Sequence, residues 1–110
     1  MNAGFIEDLL ATYRRHGWQL RTALLRPETL AALTHNTSML GNAEIVSSDF
    51  DALWFARRSH AGREAWELRL LSETPYALFD AFEANAPEEQ REEKRREMEN
   101  RMRACAAGKT

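Results

Sequence analysis

Residues 50–71 read FDALWFARRSHAGREAWELRLL. Two period-2 runs flank Ser59, His60, Ala61 and Gly62, the pattern of two strands joined as a hairpin. Because successive side chains point to opposite faces, Phe50, Trp54, Ala56, Trp66, Leu68 and Leu70 line one apolar face. Asp49, Asp51, Arg57, Glu67 and Arg69 fall on the other, interleaved with Leu53 and Phe55. The fold and the function both turn on what covers this second, mixed face.

Upstream, Phe5, Ile6, Leu9, Leu10 and Tyr13 recur at helical spacing and Gly17 supplies a stop, which predicts an amphipathic helix. Trp18 to Leu25 alternates on Trp18, Leu20, Thr22 and Leu24 before Pro27, and reads as a strand. Pro27 then opens a short helix through Leu33, followed by turn formers up to Asn42. Ile45 and Val46 are β-branched residues leading into the hairpin, with an irregularity at Ser47, Ser48 and Asp49, so this strand is one long bent element or two short ones. Downstream, Thr74 and Pro75 form a cap and first turn ahead of Tyr76, Phe79 and Phe82, whose spacing predicts a helix.

Composition changes at Pro87. The segment beyond it is almost wholly charged, and Glu92/Arg96, Glu97/Arg101 and Glu99/Arg103 are i, i+4 pairs in the favourable order. With only Met98, Met102 and Cys105 as an apolar stripe, it reads first as a solvated, self-supporting helix, the alternative being a helix that uses that stripe to dock back over Leu53 and Phe55. The expected architecture is therefore α+β: a small three-stranded sheet with helices packed mainly on one face, in the order α-β-α-β-β-α-α. Residues 1–86 form the compact domain and 87–110 a charged C-terminal helix or tail.

The 110 residues carry 15 basic and 17 acidic side chains, net charge -2, so no global basic footprint points to nucleic acid or an anionic membrane. A basic hairpin tip, Arg57, Arg58, His60 and Arg63, is too local to change that expectation. No apolar run approaches the roughly 20 residues of a spanning helix, and the first residues lack a signal-like core, so a cytoplasmic protein without membrane contact is expected. Cys105 is the single cysteine, which removes intramolecular disulfides and paired-cysteine zinc sites. His16, His35 and His60 stand apart, and no phosphate-cradling glycine loop or nucleophile elbow is present, so neither a cofactor nor a metal is expected.

Two functional readings concern the mixed face. In the first, helices cover one side of the sheet and leave the other open, so Leu53 and Phe55 ringed by Arg57, Glu67 and Arg69 form a binding surface. That makes the chain a non-catalytic protein–protein interaction domain, homodimeric because a two-fold contact reuses one patch. The second rests on a likeness. Asp51 followed by Glu67-Leu68-Arg69 resembles the aspartate and Glu-x-Lys of the PD-(D/E)xK nucleases, whose core also begins with a helix followed by strands. The resemblance implies metal-dependent nuclease chemistry, with Asp51 and Glu67 as metal ligands and Arg69 in the lysine's place. Arginine stays protonated, so it would stabilise charge there without acting as a base.

Overall fold

The computed structural model describes residues 3–33, 35–72, 76–83 and 85–107. In chain order the elements are α1 (Ala3–Arg15), β1 (Gln19–Leu25), α2 (Pro27–Ala32), β2 (Glu44–Ser47), β3 (Ala52–Arg58), β4 (Arg63–Leu70), β5 (Ala77–Glu83) and α3 (Glu88–Ala106), with short 3-10 turns before β2 and between β3 and β4. The strands form one sheet in the order β2-β1-β3-β4-β5. Only β1 and β2 run parallel, and α2 supplies the crossover a parallel pair requires.

The α+β class holds, but the sheet has five strands rather than three, and both of its faces carry helices. Ile45 and Val46 belong to β2, a separate strand at the sheet edge, not to a bent extension of the hairpin. The expected helix after Tyr76 is β5. Tyr76, Phe79 and Phe82 do sit at helical spacing, yet Leu78 and Phe82 alternate with Ala77, Phe79 and Ala81, and pairing with β4 decides between the two periods. Thr74 and Pro75, expected to cap that helix, lie outside the described residues.

On the first face α1 presents Ile6, Leu10 and Tyr13 to Ala23, Leu25, Leu53 and Phe55, joined by Leu30 and Leu33 from the α2 region. The helix stops where Gly17 takes φ +84, with the Trp18 amide donating to the Tyr13 carbonyl and the Gly17 amide to that of Arg14. That pair of bonds needs a left-handed residue, which glycine supplies without strain. A register shift between Leu20 and Thr22 leaves Leu20 facing α1 while Thr22 and Leu24 face the other side. The even-position parity expected for the whole of β1 therefore breaks at Arg21, whose guanidinium points to Glu64 and the Trp66 ring.

The second face is covered by α3, the helix expected to be solvated. Met98 and Met102 are its buried side chains, inserted among Trp54, Leu68, Leu78 and Phe50. Around them the contacts are polar: Trp54 Nε1 donates to Glu99 at 2.8 Å, Arg95 lies 4.8 Å from the Trp66 ring centre, and Arg103 Nε reaches Asp49 Oδ2 at 2.9 Å. The Arg103 hydrogen bond lowers the Asp49 pKa. A depressed folded-state pKa keeps this anchor present above the ordinary carboxylate range and releases it as pH falls through the lowered value.

Two substitutions separate this arrangement from an open-faced sheet. Phe55→Ala is expected to lower unfolding free energy by about 3–5 kcal/mol and Met102→Ala by about 2–5 kcal/mol, the range for truncating fully buried side chains. Urea denaturation followed by tryptophan fluorescence measures both. Losses near zero would mean an uncovered first face or a solvated α3.

Candidate functional site

The five residues expected to form a binding surface divide into two groups. Leu53 and Phe55 are 0% and 1% exposed, because α1 closes over them. The sequence places them on the mixed face, and they are there, but as the floor of a core rather than the centre of a surface. Arg57, Glu67 and Arg69 remain accessible or half-buried on the same side of the sheet.

Among the described residues two places stay open on that side: Ile45 on β2, 41% exposed, and a strip over β4 and β5, beyond the reach of α1. The centre of that strip is Phe79, 60% exposed and directly opposite Glu67 in the β4/β5 register. Ala77 is exposed and Ala81 half-buried beside it. A chain of rings ties this surface to the core. Phe55 and Tyr13 stack with centroids 3.9 Å apart, Tyr13 meets Trp18 edge-on at 6.2 Å, and Trp18 meets Phe79 edge-on at 6.4 Å. Such edge and offset geometries satisfy the ring quadrupoles, so Phe79 is held at its inner edge while most of its area faces out.

Charged groups of both signs surround the strip. Arg57 places its guanidinium 4.5 Å from the Trp18 ring centre and donates to the His16 carbonyl at 2.8 Å. The Tyr13 hydroxyl donates to Glu67, and burial together with that carboxylate raises the phenol pKa well above its ordinary value, so the proton stays on Tyr13. Arg69 lies close enough to oppose this shift. Arg63 and Glu83 pair at 3.2 Å at the far end. Phe79 was missed from sequence because its segment fits a helical period. The signal that could have found it is the alternation of small and large residues through Ala77, Phe79 and Ala81.

Asp51 and Glu67 do not converge. The Asp51 amide carbonyl accepts from Leu71, whereas Glu67 pairs with Phe55, which sets the two acids four positions apart along β3, about 13 Å at roughly 3.3 Å per residue. Carboxylates sharing one Mg²⁺ or Ca²⁺ must each lie within about 2.6 Å of the ion. Asp51 is also fully engaged. Its Oδ1 accepts the Arg26 backbone amide at 2.8 Å, and its Oδ2 accepts Arg26 Nε at 3.0 Å and the Thr29 hydroxyl at 2.7 Å. The acid thus caps the start of α2 from the residue just ahead of β3, satisfying an amide that the helix cannot. Among the described residues no group of three His, Cys, Asp or Glu side chains is placed to hold a metal ion.

The two hairpin tryptophans fall as strand parity requires, whereas Trp18 lies on the α1 side against Tyr13. Trp54 and Trp66 are buried under α3, and their indole groups donate to Glu99 and Glu64. No helix among the described residues is long and apolar enough to cross a membrane.

With Asp51 in a structural role, Asp51→Ala is expected to cost about 1–3 kcal/mol by leaving the α2 amide and the Thr29 hydroxyl without their acceptor. Millimolar magnesium or manganese is expected to leave the melting temperature of the wild-type chain unchanged. A metal-induced rise in Tm that Asp51→Ala abolishes would restore the nuclease-like reading. Comparison with known proteins finds no matching family model, no matching curated sequence and no matching solved structure.

Proposed function

We propose that this protein is a small interaction domain that acts by contact rather than catalysis, in the cytoplasm, and that it self-associates through the open strip over β4 and β5. The observation that carries the reading is Phe79, at 60% the most exposed large apolar side chain among the described residues, at the centre of a part of the sheet face that α1 leaves bare. An aromatic ring with a fixed inner edge and a free outer face loses little conformational freedom on binding, which is why such side chains serve as interface anchors.

The rim supports a second copy of the chain as the partner. Arg69 stands on the strip with Glu67 and Glu83, and Arg57 borders it from β3, so charges of both signs are available to pair when the patch is turned on itself about a two-fold axis. A surface of one charge sign would repel its own copy. The contact expected from Leu53 and Phe55 is thereby transferred to Phe79, with Arg57, Glu67 and Arg69 keeping their place around it.

Sedimentation equilibrium on the full chain and on Phe79→Glu tests this. The wild type is expected to dimerise and the variant to be monomeric with unchanged circular dichroism, because Phe79 carries little of the core. A wild type that is monomeric at every concentration, or a dimer indifferent to Phe79→Glu, would overturn the proposal.

A further inference from the structure

The β5 strand is the last in the sheet, and its backbone polarity can be read from two bonds. The Leu70 amide donates to the Tyr76 carbonyl at 2.9 Å, so Leu70 and Tyr76 form a hydrogen-bonded pair across β4 and β5. Antiparallel ladders alternate, so Tyr76, Leu78, Asp80 and Phe82 direct their amides and carbonyls at β4, and Ala77, Phe79, Ala81 and Glu83 direct theirs outward. The Ala81 amide agrees: it is bonded by the Asp80 side chain at 2.8 Å, on the outer side.

Alongside this edge, on the α3 side, runs a groove of about 520 Å³ between strand and helix. The strand lines it with Asp80, Phe82 and Glu83, the helix with Glu93, Lys94 and Glu97. Lys94 is the one cation of the six, and it is already held 3.6 Å from Asp80 and 3.5 Å from Glu97. Excess negative charge along a channel focuses potential toward cations.

We infer that the β5 edge is a docking site for an extended, basic peptide segment of another protein, which adds as a further strand and places its cationic side chains in the groove against α3. Strand addition draws affinity from the outward amides and carbonyls and selectivity from alternate side chains. A cationic residue facing Asp80 would draw its carboxylate from the Ala81 amide and free that donor for the incoming strand. The same geometry disfavours a second copy at this edge. A two-fold β5 pairing that uses all four outward residues puts Asp80 opposite Asp80 of the copy at the close, non-hydrogen-bonded position, where like charges destabilise. The inference does not rest on self-association, which uses the sheet face and the Phe79 side chain.

The probe is a fluorescent, acetylated Lys-Val alternating peptide of about eight residues, titrated by anisotropy into the full-length protein at a concentration where sedimentation shows monomer. A Glu-Val counterpart and a Lys-Val peptide N-methylated at every amide serve as controls. The Lys-Val peptide is expected to bind at least about tenfold more tightly than either, and Glu93→Lys to weaken it by about tenfold, since the charge lines the groove. Ala81→Pro should also weaken it while leaving the β4 ladder intact, because proline is tolerated where the amide faces out. If that variant fails to fold, the N-methylated peptide on the wild type decides the same point. Equal binding of the two charge types, undiminished binding of the N-methylated peptide, or no binding of the Lys-Val peptide would each overturn the inference. The monomer–dimer result for Phe79→Glu stands or falls separately.

Discussion

The structure depends on β3, whose residues Ala52, Leu53, Trp54, Phe55 and Ala56 are all buried although they alternate between opposite faces of the sheet. A strand with one wet face needs a single covering layer; this one needs two, because leaving Leu53 and Phe55 on one side, or Trp54 on the other, in water would forfeit roughly 1.5–3 kcal/mol for each side chain. α1 must therefore close over Leu53 and Phe55 while α3 closes over Trp54. The alanines at 52 and 56 leave room on the α3 side, where Trp54 and Trp66 meet edge to face at 5.9 Å. The neighbours follow from the same demand: Ala23 and Leu25 extend the α1 core, and Leu68 extends that of α3.

The two covering layers are built from different chemistry. α1 is amphipathic and is held by apolar contact along Ile6, Leu10 and Tyr13. α3 inserts only two methionines and is otherwise pinned by groups bridging helix and sheet: Glu99 to the Trp54 indole, Arg95 over Trp66, Arg103 to Asp49 and Lys94 to Asp80. Methionine is flexible enough to fill the irregular space between two indoles and several aliphatic side chains. The exposed anchors among these are weak singly and screened by salt, so the docking of α3 draws on their number and on the buried methionines together. Three α-helices also leave part of a five-stranded sheet bare, and the open strip around Phe79 and the open β5 edge are both consequences of that mismatch.

Much of the local structure was legible. The hairpin parity put Trp54 and Trp66 on one side and Leu53 and Phe55 on the other, and α1 and its Gly17 stop were visible in spacing alone. What failed were segments where two periods fit equally. Residues 76–83 satisfy both i, i+3 and i, i+2 patterns, and only the ladder to β4 selects the strand. The accessibility of Arg57, Glu67 and Arg69 was legible because polar residues in a strand betray an accessible face. That of Phe79 was not, because its segment fits a helical period as well as that of a strand.

By itself, then, the sequence determined which side chains share a face, since alternation in β3 and β4 and the 3.6-residue period in α1 are properties of the backbone and act over a few residues. It determined equally that the chain after Pro87 is a helix, through propensity and ordered charge pairs. Only the tertiary structure decided which faces are covered. Burial depends on elements far apart in the chain, as when Glu99 meets Trp54, Tyr13 stacks on Phe55 and Arg26 reaches Asp51. Those contacts turned an expected surface into a core and an expected solvated helix into a layer, and they leave Phe79 rather than Phe55 as the exposed aromatic on that face.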